Sequence, residues 1–306
     1  MEILHGIEAL PAEGDTVVTI GMFDGVHRGH QAVLRRTRSV GIERGLRPVA
    51  VTFEPHPREV LTPGSVPGLL TTLEQKARLL EGLRIEQLLV LRFDEELASW
   101  PPDEFVDRVL VDGLHAGHVT VGSNFTFGHK AAGDLQMLSE LGEARDISVE
   151  GVALLHEDGH RISSTSVREA LARGDLDWPL KALGRRYAIE GTVVRGAGRG
   201  DDLGFPTANL ETHPRAQLPQ RGVYAGRGLL GWKAWPAAIN VGMNPTFGEE
   251  PLHVEAFLLD FDGDIRGETL QVELWERLRD EERFESPDAL SAQIARDVDR
   301  TRELVA

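Results

Sequence analysis

Two histidines three positions apart, His27 and His30, stand in a segment framed by Gly21, Gly25 and Gly29. An apolar run at 17–20 precedes them and a helical pattern at 31–40 follows, so the segment reads as a strand turning into a helix. Glycines let backbone approach a ligand closely, and the first N–H groups of the new helix point at an anion. Imidazoles at that position can donate hydrogen bonds to phosphoryl oxygens. The chemistry this suits is in-line displacement at a nucleotide α-phosphate, where the protein positions groups and stabilises charge and forms no covalent intermediate. The alternative is a metal site, but no carboxylate or third histidine stands at recognisable ligand spacing.

Arg161, Ser164, Thr165, Ser166 and Arg168 form a second candidate cradle ahead of a helix, where Ser166 and Glu169 fit a capping box. The hydroxyls could serve only as caps; with two flanking arginines they could also hold a phosphate. His56 lies between Pro55 and Pro57, which stiffen the backbone that presents its ring. Further along, 194–200 is glycine-rich without matching a Walker or dinucleotide fingerprint. Thr207 and Asn209 follow, on one side of an extended segment, with hard oxygen donors of the kind Mg²⁺ accepts. Glu255 interrupts an apolar run and alternates with Val254 and Ala256, so it faces the other way; a carboxylate there could take a proton from a substrate hydroxyl.

These groups need two different scaffolds. Runs at 17–20, 48–53, 88–93, 118–121 and 152–155 read as buried strands. Between them lie helical patterns: a capping box from Thr71 to Glu74 ahead of Ala77, Leu80 and Leu83, and a stripe of Phe105, Val106, Val109 and Leu110. That alternation predicts an α/β domain with a doubly wound, mostly parallel sheet. From Tyr187 the apolar residues alternate one by one, which predicts a small antiparallel β-barrel, with Asp262-Gly263 marking a hairpin between 254–258 and 270–274. Ser286 and Pro287 open a closing helix through Leu290, Ile294 and Val298. The expected domains are 1–182 and 183–306.

The 306 residues carry 33 Lys+Arg against 49 Asp+Glu, a formal charge of −16, and no cysteine. Such acidity argues against a nucleic-acid or anionic-membrane partner. The absence of cysteine removes disulfides, thiolate metal sites and cysteine nucleophiles. No signal-peptide pattern and no apolar run of roughly 18 residues is present, so a cytoplasmic protein is expected; nothing calls for a homo-oligomer.

The motifs occur in one order: the HxGH segment, Thr52-Phe-Glu-Pro-His-Pro57, Val121-Gly-Ser-Asn-Phe-Thr-Phe-Gly128, Ile162-Ser-Ser-Thr-Ser-Val-Arg168, then Gly-Phe-Pro-Thr-Ala-Asn at 204–209, Arg221-Gly-Val-Tyr224, Ile239-Asn-Val-Gly242, Asn244-Pro-Thr-Phe247, Glu255 and Leu278-Arg-Asp-Glu-Glu-Arg-Phe284. In that order they resemble the prokaryotic bifunctional FAD synthetases, whose N-terminal module belongs to the HxGH nucleotidyltransferase superfamily and whose C-terminal module is a six-stranded riboflavin kinase barrel.

The resemblance implies phosphorylation of riboflavin by ATP to FMN, then adenylylation of FMN by a second ATP to FAD and pyrophosphate, both with Mg²⁺. It implies that Gly21, Phe23, Gly25, His27, His30, Arg161, Ser164, Thr165 and Arg168 face ATP, with His27, His30 and Arg168 catalytic. Pro55, His56, Pro57 and Asn124 lie on the flavin side; an acid is common where Asn124 stands, and the amide keeps both a donor and an acceptor. In the barrel, Gly198, Gly204 and Pro206 approach ATP, Thr207 and Asn209 hold the metal, Glu255 is the base, and Arg279 borders the flavin. Arg266 stands where an aromatic is expected. Two other readings are weighed: a nucleotidyltransferase for another small substrate, against which the attached barrel speaks, and a flavin-binding protein with one inactive site.

Overall fold

A computed structural model describes residues 1–9, 15–196, 204–242 and 253–305, and its contacts divide the chain into two compact units, Met1–Ser164 and Thr165–Ala306.

The first unit is built on six parallel strands: β1 (Glu2–His5), β2 (Thr16–Ile20), β3 (Arg47–Glu54), β4 (Gln87–Arg92), β5 (Ala116–Gly122) and β6 (Ser148–Val152). They lie in the order β1-β4-β3-β2-β5-β6. The central strands are apolar on both faces, as a sheet covered on both sides requires. In β3, Val49 and Val51 pack with Val106, Val109 and Leu110 on one side. Ala50 packs with Leu34, Ala77 and Leu80 on the other. Helix α1 (Arg28–Arg44) ends at Gly45, whose φ of 69° and N–H bond to the Gly41 carbonyl stop it cleanly.

Sequence and structure differ at two edges of this sheet. β1 is a short edge strand with only Leu4 buried, too brief for its alternation to be read. The last strand is Ser148–Val152, where 152–155 was expected; Leu154 and Leu155 are apolar because they line a cavity in the following loop.

A short hairpin follows, β7 (His156–Glu157) and β8 (His160–Arg161). The second unit closes six antiparallel strands into a barrel: β9 (Ala188–Val194), β10 (Ala208–Thr212), β11 (Gly222–Leu230), β12 (Lys233–Gly242), β13 (His253–Leu258) and β14 (Thr269–Arg279), in the order β10-β13-β12-β11-β14-β9. Inward residues such as Ile189, Ile239, Val254, Ala256 and Leu270 are fully or almost fully buried.

The expected Asp262-Gly263 hairpin is not formed. β13 is flanked by β10 and β12, so both its edges are taken, and the chain after Leu258 crosses to β14 beside β9. Turn residues mark where a strand ends, not which strand the chain joins next. The tight two-residue hairpin is instead Gly231-Trp232 between β11 and β12, with Gly231 at φ 59°. The closing helix Pro287–Val305 starts as expected, with the Ala289 N–H donated to Ser286 Oγ at 3.2 Å, and packs on β11 and β12.

Candidate functional site

In an open parallel sheet, ligands bind at the carboxyl ends of the strands where the strand order switches direction. Here the switch lies between β2 and β5. A cavity of about 980 Å³ opens there, lined by Ile20 and Gly21 at the end of β2 and by Gly122 and Asn124 at the end of β5.

The turn after β2 is tight. Phe23, Gly25 and Val26 all have positive φ, at 48°, 77° and 40°. Such angles are unfavourable for Phe and for β-branched Val, so outside contacts must hold the turn. The buried Asp24 carboxylate does so: it accepts from the Leu70 and Thr71 amides at 3.0 Å each and from the Thr71 hydroxyl at 3.3 Å. The Gly25 amide returns a bond to Thr71 Oγ1 at 3.0 Å. This moves the expected cap of helix α3 (Leu73–Gly82), called α3 after the short α2 (Pro57–Leu61), by one residue. The capping box is Thr72 with Gln75, because the Thr71 hydroxyl is engaged at the turn. Asp24→Ala leaves these donors unpaired, and an expected loss of about 2–3 kcal/mol should appear in denaturant unfolding of the full chain.

His27 caps α1 through its ring: Nδ1 accepts from the His30 amide at 3.2 Å. The two imidazoles stack with centroids 3.6 Å apart and planes 16° from parallel, and Phe23 meets His30 edge-on at 5.4 Å. His30 Nδ1 is buried without a hydrogen-bond partner. Burial first, then His27 and the Lys76 ammonium, hold the His30 pKa well below the usual imidazole range. His30 is therefore a neutral donor at physiological pH.

The cavity brings together Gly21, Phe23, His27, His30, Pro57, Asn124 and Arg161. Gly25 lies under it in the buried turn, and Ser164 Oγ donates to the Asp24 carbonyl at 2.8 Å. The helix Ser164–Ala172 begins at Ser164, so Ser166 is inside its first turn and is not the N-cap expected of it. Thr165 is exposed, and Arg168 stands one turn on from Ser164 along the same helix face. Pro55 and His56 do not line the cavity. The His56 ring caps α2, Nδ1 accepting from the Arg58 amide at 3.1 Å, while Glu59 accepts from the His56 amide at 2.7 Å.

Several contributors escaped sequence reading. An aromatic wall of Phe53, Phe93, Phe105, Phe125 and Phe127 lines the cavity, with Phe125 and Phe127 stacked at 5.6 Å. Their Phe-x-Phe spacing was the available signal.

On the barrel, the strand register sets Asn209 of β10 and Asn240 of β12 on either side of Glu255 in β13. All three occupy the face opposite the buried Val254 and Ala256, half-exposed in a single polar row across three strands. Asn209 Nδ2 donates to the Thr207 carbonyl at 3.4 Å, and His253 Nε2 lies 3.5 Å from Glu255 Oε1. A Cβ on Gly196 would fall 2.1 Å from Asn209 Nδ2, so the glycine lets the chain just after β9 pass close to the amide. Gly204 has φ 80°, Pro206 is exposed, and Phe205 packs edge-on against Phe257 at 5.5 Å.

Gly198 and the segment Asn244-Pro-Thr-Phe247 lie outside the described residues. Arg279 is committed to Asp297 of the closing helix in a largely buried ion pair, with bonds of 2.8–3.2 Å, and its Nη1 donates to the Asp280 carbonyl. Arg266 pairs with Asp264, whose carboxyl it holds down to about 2.

Residues 10–166 match the family model for FAD synthetase and residues 183–305 that for riboflavin kinase. A bifunctional riboflavin kinase/FMN adenylyltransferase from Pseudomonas fluorescens is 41% identical over all of this chain and 98% of its own length. The enzyme of the same description from Escherichia coli K12 is 39% identical over 98% and 96%. The chain belongs to the bifunctional riboflavin kinase/FMN adenylyltransferase family. It is an enzyme with two ATP-dependent activities on flavins. A solved structure from Streptococcus pneumoniae, described as a macrolide-efflux protein, superposes with a TM-score of 0.89 at 30% identity and covers 99% of both chains. Among the described residues no helix is long and apolar enough to cross a membrane.

Proposed function

We propose that the cavity at the β2/β5 switch is the FMN adenylyltransferase site and that the Asn209–Glu255–Asn240 row marks the riboflavin kinase site of this enzyme. The observation that carries the first assignment is the stacked His27–His30 pair at the mouth of α1, inside a cavity whose far wall is aromatic. An FMN phosphate oxygen attacks the α-phosphorus of ATP, and pyrophosphate leaves. His27 and His30 donate hydrogen bonds to the phosphoryl oxygens, Arg161 offers positive charge, and Phe125, Phe127 and Asn124 hold the flavin. In the barrel, Glu255 takes the proton of the ribityl 5′-hydroxyl as its oxygen attacks the γ-phosphorus and ADP leaves. The FMN so formed is the substrate of the other site. The segments 1–182 and 183–306 carry the two activities, in the cytoplasm.

The residues at the barrel row fit Mg²⁺. Thr207 and Asn209 are neutral oxygen donors, and with Asn209 Nδ2 donating to the Thr207 carbonyl the amide's Oδ1 is its acceptor. That suits a cation held chiefly by nucleotide phosphates and waters. When bound, it offsets the negative charge that gathers on the phosphates. Chelation by EDTA should abolish FMN formation from riboflavin and ATP. Asn209→Ala should raise the Mg²⁺ concentration for half-maximal phosphorylation at least about ten-fold; an unchanged Mg²⁺ dependence removes Asn209 from the metal site.

A further inference from the structure

The β7–β8 hairpin, which carries Arg161 to the mouth of the cavity, is tied to the start of α1 by an ion pair. Arg28 Nη1 donates to Glu157 Oε2 at 2.7 Å, joining residues 129 positions apart. Arg28 directly follows His27 and is the first residue of α1. A cation there opposes the helix dipole, and the first turn has no acidic residue of its own, so Glu157 supplies the negative charge from outside. Neither Arg28 nor Glu157 lines the cavity, although His27, Gly29 and Arg161 do. With side chains 40% and 32% exposed, such a pair adds little to global stability. What it can do is fix where the hairpin lies.

The hairpin transmits that contact as one piece. Asp158 and Gly159 join its strands at φ 50° and 79°, the paired left-handed angles of a tight two-residue turn. Glu157 pairs with His160 and His156 with Arg161. Beyond them the Ile162 amide donates to the Leu155 carbonyl at 3.0 Å. Successive side chains leave a strand on opposite faces, so the face bearing Glu157 is tied to α1 while the other bears Arg161. The Ile162 carbonyl then lies 4.0 Å from where a Gly29 Cβ would stand, which sets the exit of the hairpin against the first turn of α1. An isolated two-stranded hairpin is marginal in water, so one with two residues in each strand takes its place from what it touches. We propose that Arg28 and Glu157 are positioning residues of the adenylyl-transfer site, their ion pair setting the hairpin so that Arg161 meets the triphosphate bound at His27 and His30. This rests on the assignment of the His27–His30 cavity to FMN adenylylation.

The test follows FAD formation by the full-length enzyme as ATP and FMN are varied in turn. Glu157→Ala should raise the KM for ATP about three- to five-fold, the scale of one surface ion pair. Glu157→Lys, which sets like charges together, should raise it further, to roughly ten-fold. The KM for FMN and the phosphorylation of riboflavin should stay as in the wild type. Exchanging the charges, Arg28→Glu with Glu157→Arg, should restore the KM for ATP. Because the pair acts through Arg161, Glu157→Ala should add nothing in an Arg161→Ala background. A wild-type KM for ATP in Glu157→Lys overturns the proposal, as do full additivity with Arg161→Ala and an Arg161→Ala variant that uses ATP normally. Normal FAD formation by His30→Ala would instead overturn the assignment of the cavity itself.

Discussion

Replacing His30 by alanine is expected to lower FAD formation from FMN and ATP by a factor on the order of 10²–10³, while phosphorylation of riboflavin by the same preparation is unchanged. The magnitude is that of removing one preorganised donor aimed at developing charge. His30 qualifies because its ring is held before any ligand arrives, stacked on His27 at 3.6 Å and braced by Phe23 at 5.4 Å. A donor fixed in this way loses little freedom when the phosphates bind. The effect should fall on the rate of the chemical step more than on the apparent affinity for ATP, because charge develops in the transition state. The kinase control excludes loss of the chain as a whole; because His30 belongs to the first compact unit and the barrel to the second, the denaturant unfolding of the variant should also match that of the wild type. Measured by chromatographic separation of FMN and FAD, wild-type FAD formation in His30→Ala would end the assignment of the imidazole pair.

How much of this was legible in the sequence depends on the range of each interaction. The strand–turn–helix around His27 and His30 is a local pattern, and glycine spacing with a new helix suffices to read it. The closed barrel was readable from one-by-one alternation, but its strand order was not: pairing of β13 with β10 and β12 is a long-range choice that Asp262-Gly263 does not encode. Asp24 lay in plain view within the HxGH segment, yet its partners, Leu70 and Thr71, are 46 and 47 residues away. Thr71 was read as a cap because a hydroxyl ahead of a helix normally is one, and only the fold shows that the turn claims it. His56 is the reverse case. Its two prolines suggested a ring offered to a ligand, and the fold adds a local use that they do not announce, Nδ1 capping α2. Arg279, which the resemblance sets beside the flavin, also pairs with Asp297 of the closing helix, 18 residues on, a contact that no local pattern announces.

Glu255→Gln is expected to reverse the pattern, with riboflavin phosphorylation falling on the order of 10²–10⁴ and FMN adenylylation intact. Glutamine keeps the size and a carbonyl acceptor but cannot take up a proton at any working pH. The position suits the role for a reason that the register makes plain. Glu255 faces away from the barrel core, so the carboxylate is half-exposed, while Asn209 and Asn240 on the adjacent strands are neutral neighbours. An acidic neighbour would repel the phosphates, and a lysine would quench the base. His253, 3.5 Å from Oε1, is the one cationic candidate in contact among the described residues. Glu255→Asp, with the carboxylate drawn back by one methylene, should recover part of the rate, because the proton acceptor is present but displaced. Full phosphorylation activity in the glutamine variant would remove Glu255 from proton transfer and leave the polar row as a binding surface for the nucleotide alone.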